Sequence, residues 1–241
     1  MSMSMSMNTT AIVLAGGLGT RLRTVVTDVP KPMALVNGKP FLYYVLTQLH
    51  QAGITHVVLS VGYKWETIRN YFGQEFNRIK IEYCVEEAPL GTGGAIKAAM
   101  QLCTTANIVV LNGDSIFNFN LQQFINKPLT TPVAMAIRVV NDAARYGTVS
   151  VDAKGSITHF VEKTGLIQQG TINTGIYLIN KQQFLDNCPS ENKFSIEQDY
   201  FQHIVQHQHI QGYMAQGYFI DIGIPEDYAR AQHELHTSFN L

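Results

Sequence analysis

A glycine-rich segment near the N-terminus carries residue types that bind phosphate. It reads Leu14-Ala15-Gly16-Gly17-Leu18-Gly19-Thr20-Arg21-Leu22. Glycines let backbone N–H groups approach an anion closely, and a guanidinium such as that of Arg21 binds phosphate oxygens in pairs. The third glycine of a dinucleotide fingerprint and the Gly-Lys-Ser/Thr of a Walker A loop are both missing. Pro30 and Pro32 fix the backbone on either side of Lys31, so we predict that Arg21 and Lys31 form a polyphosphate cradle.

Two aspartates are candidate ligand-binding carboxylates, and one of them follows a predicted strand. Asp114 ends the run Leu111-Asn112-Gly113-Asp114, and Asp221 lies within Phe219-Ile220-Asp221-Ile222-Gly223. Open α/β sheets bind ligands at the carboxyl ends of their strands. Asn-Gly-Asp is by itself a common turn sequence, so the position of Asp114, rather than its motif, points to a site.

Four further segments carry polar side chains, three of them together with glycines. They are Glu86–Gly94, the pair Glu162-Lys163, and the tripeptides Arg145-Tyr146-Gly147 and Asn173-Thr174-Gly175. The first two also have a simpler interpretation. The first is a loop before a helix, and the second is a solvated ion pair at a strand end.

Short apolar runs alternate with helical patterns in the first half of the chain, which predicts an α/β fold with a parallel sheet. The predicted strands are 11–15, 56–61, 79–85 and 108–111, and the predicted helices are 41–51, 65–72 and 94–102. After Pro128 the gaps shorten to turns, with strands predicted at 133–140, 148–152, 157–162 and 175–179. We expect a mixed α+β second half, with helices starting after Ser195 and at Pro225.

Composition excludes several classes of protein. Of 241 residues, 46% are hydrophobic and 15% are charged, and the net charge is −1, which excludes disordered and coiled-coil chains. No basic field would hold nucleic acid, and no apolar run is long enough to span a membrane. Three scattered cysteines favour a cytoplasmic setting. We expect a disordered leader over residues 1–9, a single domain over residues 10–241, and a homodimer as one compatible assembly.

The segment from Leu14 to Leu22, together with Pro30-Lys31-Pro32, resembles the signature of sugar-1-phosphate nucleotidyltransferases, also called NDP-sugar pyrophosphorylases. The resemblance runs from about Thr10 to Ala231. It implies a Rossmann-like, GT-A-like three-layer sandwich whose central sheet is mostly parallel with added antiparallel strands. It also implies the reaction of an NTP with a sugar 1-phosphate to give an NDP-sugar and pyrophosphate, with Mg²⁺ as cofactor.

The resemblance assigns roles to matching positions. Catalytic roles go to Arg21, Lys31 and Asp114, and Mg²⁺ ligation goes to Asp114 and Asp221. Nucleotide binding is implied for Leu14, Ala15, Gly16, Gly17, Gly19, Thr20, Arg21, Glu86, Gly91, Thr92 and Gly113. Sugar-phosphate binding is implied for Gly147, Glu162, Lys163, Asn173 and Thr174. Two positions depart from the pattern, because Phe219 replaces a frequent Trp and Thr164 replaces a frequent Pro.

The predicted base is guanine. The resemblance places Glu86 at the Watson–Crick edge of the base, and a carboxylate only accepts hydrogen bonds. Guanine offers two adjacent donors, whereas uracil and thymine offer one N–H between two carbonyls. We therefore expect GTP as the nucleotide substrate.

The sub-family with the most similar motifs is the D-glycero-α-D-manno-heptose 1-phosphate guanylyltransferases, which supply GDP-heptose for bacterial capsule, S-layer or lipopolysaccharide glycans. The matching stretches are 89–95, 145–149, 172–178 and 219–228. Alternatives are a mannose-1-phosphate guanylyltransferase, an N-acetylmuramate-1-phosphate uridylyltransferase, a glycosyltransferase that uses a nucleotide sugar, and a non-catalytic module that binds nucleotide sugars.

Overall fold

The computed structural model describes residues 9–17, 22, 26, 29–161, 165, 167–207 and 210–238. The strands are β1 (Thr10–Leu14), β2 (Leu35–Val36), β3 (Lys39–Pro40), β4 (His56–Val61), β5 (Glu75–Phe76), β6 (Ile79–Val85), β7 (Asn107–Asn112), β8 (Ser115–Asn118), β9 (Val133–Val140), β10 (Thr148–Val151), β11 (Ser156–Val161), β12 (Gly170–Asn180), β13 (Ile210–Met214) and β14 (Tyr218–Asp221). The helices are α1 (Phe41–Gln51), α2 (Trp65–Phe72), α3 (Gly91–Ala99), α4 (Leu121–Ile125), α5 (Lys181–Asn187), α6 (Gln202–His207) and α7 (Pro225–Ser238). A π-helix spans Ile196–Phe201 and runs directly into α6.

Ten strands form one sheet in the order β10-β11-β13-β9-β12-β7-β1-β4-β6-β5. Strands β7, β1, β4 and β6 are mutually parallel, and so is the pair β9–β13. The other pairings are antiparallel. The sheet is therefore mixed, and the expectation of a mostly parallel sheet is not confirmed. Parallel neighbours need long crossovers, whereas the short turns of the second half favour antiparallel neighbours.

Helices cover both faces of the sheet, as a three-layer arrangement requires. Alternate residues of a strand point to opposite faces, so Ala11 and Val13 of β1 pack with α1, α2, α4 and α7. Ile12, between them, packs on the opposite side with α3, α5 and the π-helix. The sheet thus has a hydrophobic core on each side, and its strand ends are left to form a site.

A separate two-stranded ribbon lies at the end of the main sheet. Strand β8 follows β7 after a two-residue turn and pairs antiparallel with β14, so that Ser115 lies opposite Asp221. Neither ribbon strand was predicted from the sequence. Their pairing brings a segment near the C-terminus back to the carboxyl end of β7.

Several helices and strands have the bounds that the sequence predicts. Helices α1 and α2 and strands β4, β6 and β9 have the predicted bounds, and Ser195 caps the π-helix by accepting a hydrogen bond from the Gln198 N–H at 3.2 Å. Helix α3 begins three residues earlier than predicted, at Gly91.

Within the described part of the chain, no helix is both long and apolar enough to cross a bilayer.

Candidate active site

The carboxyl ends of β1, β4 and β7 meet at one edge of the sheet. The Ala15 N–H donates to the Ser60 carbonyl at 2.7 Å, and the Gly113 N–H donates to the Leu14 carbonyl at 2.9 Å. A side chain at Gly113 would place its Cβ only 2.6 Å from the Leu14 oxygen. The glycine before Asp114 therefore allows two strand ends to approach each other, and this contact sets the position of the aspartate.

Lys31 lies between two carboxylates at this edge. Its Nζ is 2.7 Å from Asp114 Oδ2 and 3.7 Å from Asp221 Oδ1. The lysine side chain is 13% exposed, while each aspartate is 34% exposed. The ammonium is thus mostly withdrawn from solvent, and the carboxylates keep an open side toward a ligand.

Each member of this cluster is held by its backbone. The Met33 N–H donates to the Pro30 carbonyl at 2.7 Å, which closes the turn that carries Lys31. The Ile222 N–H donates to the Asp114 carbonyl at 3.0 Å, and the Gly223 N–H donates to Asp221 Oδ1 at 2.5 Å. The structure thereby brings together Lys31, Asp114 and Asp221, which the sequence had placed in one site.

The two aspartates fit a magnesium ion. Both carboxylates already reach one cation, the Lys31 ammonium, and Mg²⁺ prefers oxygen ligands and typically takes only one or two carboxylates from the protein. Among the described residues, no group of three or more His, Cys, Asp and Glu side chains forms a metal site. A pair of carboxylates leaves coordination positions for phosphate oxygens and water.

Glu86 lies beside the glycine-rich segment that follows β1. Its Oε1 accepts from the Ser60 hydroxyl at 3.0 Å, and its Oε2 accepts from the Leu90 N–H at 3.1 Å. A Cβ on Gly16 would lie 2.7 Å from Glu86 Oε1. Both carboxylate oxygens are therefore oriented by the protein, and each keeps a further lone pair for a ligand donor.

The glycines after Glu86 pack against a distant segment. Gly91 has φ +71°, and a Cβ there would lie 2.5 Å from the Phe194 carbonyl oxygen. That carbonyl accepts from the Gly93 N–H at 3.0 Å. The Thr92 hydroxyl accepts from the Ile196 N–H at 2.9 Å and donates to Glu197 Oε2 at 2.8 Å. Helix α3 begins early because this docking orders its first turn.

A cavity of about 220 Å³, here called the acceptor cavity, opens next to Asp221. Its lining residues are mostly polar and come from six separated segments: Asn112, Ser115, Tyr146, Gly147, Phe160, Asn173, Thr174, Gly175, Glu197, Phe219 and Asp221. Three of the predicted sugar-phosphate residues, Gly147, Asn173 and Thr174, are among them. The structure therefore brings these three residues together around one cavity.

Hydrogen bonds hold Asn173 and Thr174, two of the residues predicted to bind the sugar phosphate. The Asn173 N–H donates to the Gly147 carbonyl at 2.9 Å, and its side-chain Nδ2 donates to the Tyr177 hydroxyl at 2.8 Å. The Thr174 hydroxyl donates to the Ala136 carbonyl at 2.7 Å and is buried. Thr174 thus shapes the cavity wall rather than offering a free hydroxyl hydrogen.

Two aromatic side chains form another part of the cavity wall. Tyr146 and Phe219 pack edge to face with ring centroids 5.5 Å apart. Burial raises the pKa of the Tyr146 phenol, which Arg145 opposes and the carboxylates of Asp227 and Asp221 reinforce. The phenol therefore stays protonated at neutral pH and can donate a hydrogen bond.

Some predicted site residues lie outside the described residues. These are Gly19, Thr20 and Arg21 of the glycine-rich segment, and Glu162 and Lys163 after β11. Their roles stay predictions. Conversely, sequence reasoning did not select Asn112, Glu197 or Phe219 as site residues, although the first and third belong to the motifs that carry Asp114 and Asp221.

Three comparisons place the chain among known proteins. The Nucleotidyl transferase family matches residues 10–238. D-glycero-alpha-D-manno-heptose 1-phosphate guanylyltransferases of Aneurinibacillus thermoaerophilus and Campylobacter jejuni are each 44% identical, over 227 and 218 residues, covering 93% and 90% of this chain and 97% and 96% of their own. The crystal structure of HddC from Yersinia pseudotuberculosis complexed with GMP-PN has a TM-score of 0.84 at 36% identity and covers 94% of this chain and 99% of that one.

Proposed function

Because this chain belongs to the nucleotidyl transferase family, we propose that it transfers GMP from GTP to D-glycero-α-D-manno-heptose 1-phosphate. The products are the GDP-sugar and pyrophosphate. The observation that carries the proposal is the position of Asp221, which lies 3.7 Å from Lys31 and also lines the acceptor cavity. A phosphate-binding cluster and a polar cavity of sugar size thus share one residue, as a transfer between two phosphates requires.

The choice of heptose and guanine has separate support. The relatives with 44% identity bear the name of heptose 1-phosphate guanylyltransferases, and they align along nearly their whole length. Glu86 supports guanine, since its two oxygens are fixed by Ser60 and Leu90 and can each accept from one of the two adjacent guanine donors. A uracil carbonyl at the same place would meet a negative charge.

The chemistry is an in-line displacement at the α-phosphorus of GTP. A phosphate oxygen of the sugar 1-phosphate forms the new P–O bond while the bond to the pyrophosphate oxygen breaks, and pyrophosphate leaves with its electron pair. The attacking oxygen is already anionic near neutral pH, so no general base is needed. Catalysis then consists of positioning and charge stabilisation.

Each residue contributes to positioning or charge stabilisation at a different phosphate group. Lys31 stabilises negative charge on the reacting phosphates, because its ammonium is fixed at the strand ends and mostly shielded from solvent. Asp114 and Asp221 would hold Mg²⁺, which when bound neutralises phosphate charge. Arg21 would hold the outgoing β- and γ-phosphates, and Lys163 the incoming phosphate. Losing one such contact typically slows a reaction by about 10²–10³-fold.

The test is pyrophosphate release with Mg²⁺, crossing GTP, UTP, CTP, dTTP and ATP with heptose, mannose and N-acetylmuramate 1-phosphates. We expect release with GTP and the heptose phosphate well above every other pair. Preference for mannose 1-phosphate would change the sugar, and preference for UTP would refute the role of Glu86. No release with any pair would refute the proposed reaction.

A further inference from the structure

We propose that Glu197 binds a hydroxyl group of the sugar in the acceptor cavity and thereby sets the orientation of the bound sugar. This inference rests on the proposed function, since it concerns the substrate that occupies that cavity. Glu197 is the second residue of the π-helix Ile196–Phe201 and lines the cavity together with Asp221. It lies outside the motifs to which the resemblance assigns sugar-phosphate binding.

One oxygen of the Glu197 carboxylate is held in place by neutral donors. The Thr92 hydroxyl donates to Oε2 at 2.8 Å, and the Ser195 hydroxyl donates to the same oxygen at 2.9 Å. No described residue donates a hydrogen bond to the other oxygen, Oε1. The carboxylate is therefore fixed from one side and keeps an oriented acceptor for a ligand.

The charge environment decides which part of the substrate suits this acceptor. Asp221 has the Lys31 ammonium 3.7 Å away, so a phosphate near Asp221 meets a positive charge. Glu197 has no Lys, Arg or His within ion-pair distance in the described part of the chain, and its neighbours Thr92 and Ser195 are neutral. Among the described residues, the neighbours of Glu197 are neutral, so its carboxylate favours the hydroxyl side of the sugar over the phosphate side. We therefore place the phosphate toward Asp221 and Lys31 and a hydroxyl toward Glu197.

The hydrogen bond between Thr92 and Glu197 connects the predicted nucleotide-binding residues with the acceptor cavity. Thr92 lies in the first turn of α3, two residues after Leu90, whose N–H donates to Glu86. Glu197 lines the acceptor cavity. A purely structural role for Glu197 would be to bind Thr92 and Ser195. The two roles differ in their response to the substrate, because only sugar binding depends on which hydroxyl the sugar carries.

Glu197→Gln separates the two roles. The amide oxygen of Gln can accept from both hydroxyls and so keep the structural contacts, which would turn the NH₂ group toward the cavity in place of an acceptor. A hydrogen bond to a charged group contributes about tenfold to a hundredfold in affinity, so we expect KM for the sugar 1-phosphate to rise by about that factor. KM for GTP and the melting temperature should remain unchanged.

Deoxy analogues of the sugar 1-phosphate complete the test. In the wild type, removal of one particular hydroxyl should weaken binding, measured by titration calorimetry and as KM, whereas in Glu197→Gln the same removal should cost almost nothing. Glu191→Gln, an exposed residue in the segment that leads to the π-helix, is the matched control and should behave as wild type. Equal losses in wild type and Glu197→Gln for every analogue would overturn the inference.

The outcome for Glu197 can be told apart from that for the overall reaction. Wild-type turnover of GTP with a sugar 1-phosphate tests the proposed function, and the deoxy series is built on the sugar 1-phosphate that is turned over best. Turnover by the wild type combined with an unchanged sugar KM in Glu197→Gln would refute Glu197 alone. Absence of wild-type turnover and of sugar 1-phosphate binding would refute both.

Discussion

Substitution of Asp227 tests whether its ion pairs hold the wall of the acceptor cavity in place. This residue of α7 has a side chain only 5% exposed and forms ion pairs with Arg145 and, at 3.0 Å, with Arg230. Arg145 directly precedes Tyr146 and Gly147, which line the cavity. We predict that Asp227→Asn loosens this connection, so that both stability and sugar binding decrease.

The size of the effect follows from burial. Removing one partner of a fully buried ion pair costs about 3–5 kcal/mol. Here the Arg145 and Arg230 side chains are 41% and 53% exposed, and Arg230 keeps Glu234 at 3.0 Å. Water can therefore rehydrate both guanidinium groups, and we expect a loss of about 1–2 kcal/mol for the isosteric Asn. For a chain of this length that corresponds to a fall in melting temperature of roughly 2–8 °C.

Thermal unfolding and steady-state kinetics measure the two effects together. We expect Asp227→Asn to lower the melting temperature and to raise KM for the sugar 1-phosphate several-fold while KM for GTP stays constant. Glu226→Gln, which removes an exposed carboxylate from the adjacent position of the same helix, is the control and should leave both quantities unchanged. An Asp227→Asn protein with wild-type stability and sugar KM would refute the reasoning.

Three further substitutions test individual parts of the site. Lys31→Ala should lower kcat by about 10²–10³-fold, since it removes the ammonium between Asp114 and Asp221; single-turnover rates within a few-fold of wild type would contradict its role. Glu86→Gln should reduce the preference for GTP over UTP in competition assays, because the amide offers both a donor and an acceptor; an unchanged ratio would remove the base argument. Gly113→Ala should destabilise the fold by about 1–3 kcal/mol in urea unfolding, because its Cβ would lie 2.6 Å from the Leu14 carbonyl oxygen; wild-type stability would show that the two strand ends can move apart.

The family could be identified from short local motifs, and the match over residues 10–238 confirms it. The run from Leu14 to Leu22 and the tripeptide Pro30-Lys31-Pro32 are sufficient for that purpose. Helix α1 was likewise predictable, since its apolar residues recur at helical spacing between Pro40 and Gly53. Such features depend on neighbours in the chain, which the sequence displays directly.

The directions of neighbouring strands in the mixed sheet were harder to predict from the sequence. A buried apolar strand has the same pattern whether its neighbours run parallel or antiparallel to it. The direction of β12 between β7 and β9, antiparallel to both, depends on how the chain returns to the sheet. No single stretch of residues encodes that return.

The residue types of the site were determined by the sequence, but its assembly was decided by the tertiary structure. Lys31, Asp114 and Asp221 each stand in a recognisable motif, yet Asp221 reaches the other two because β14 pairs with β8. Glu197 had no signal of its own and enters the acceptor cavity because Thr92 and the glycines of α3 dock on its segment. Local motifs specify chemistry through residue type, whereas the distances between side chains far apart in sequence arise from packing of the whole chain.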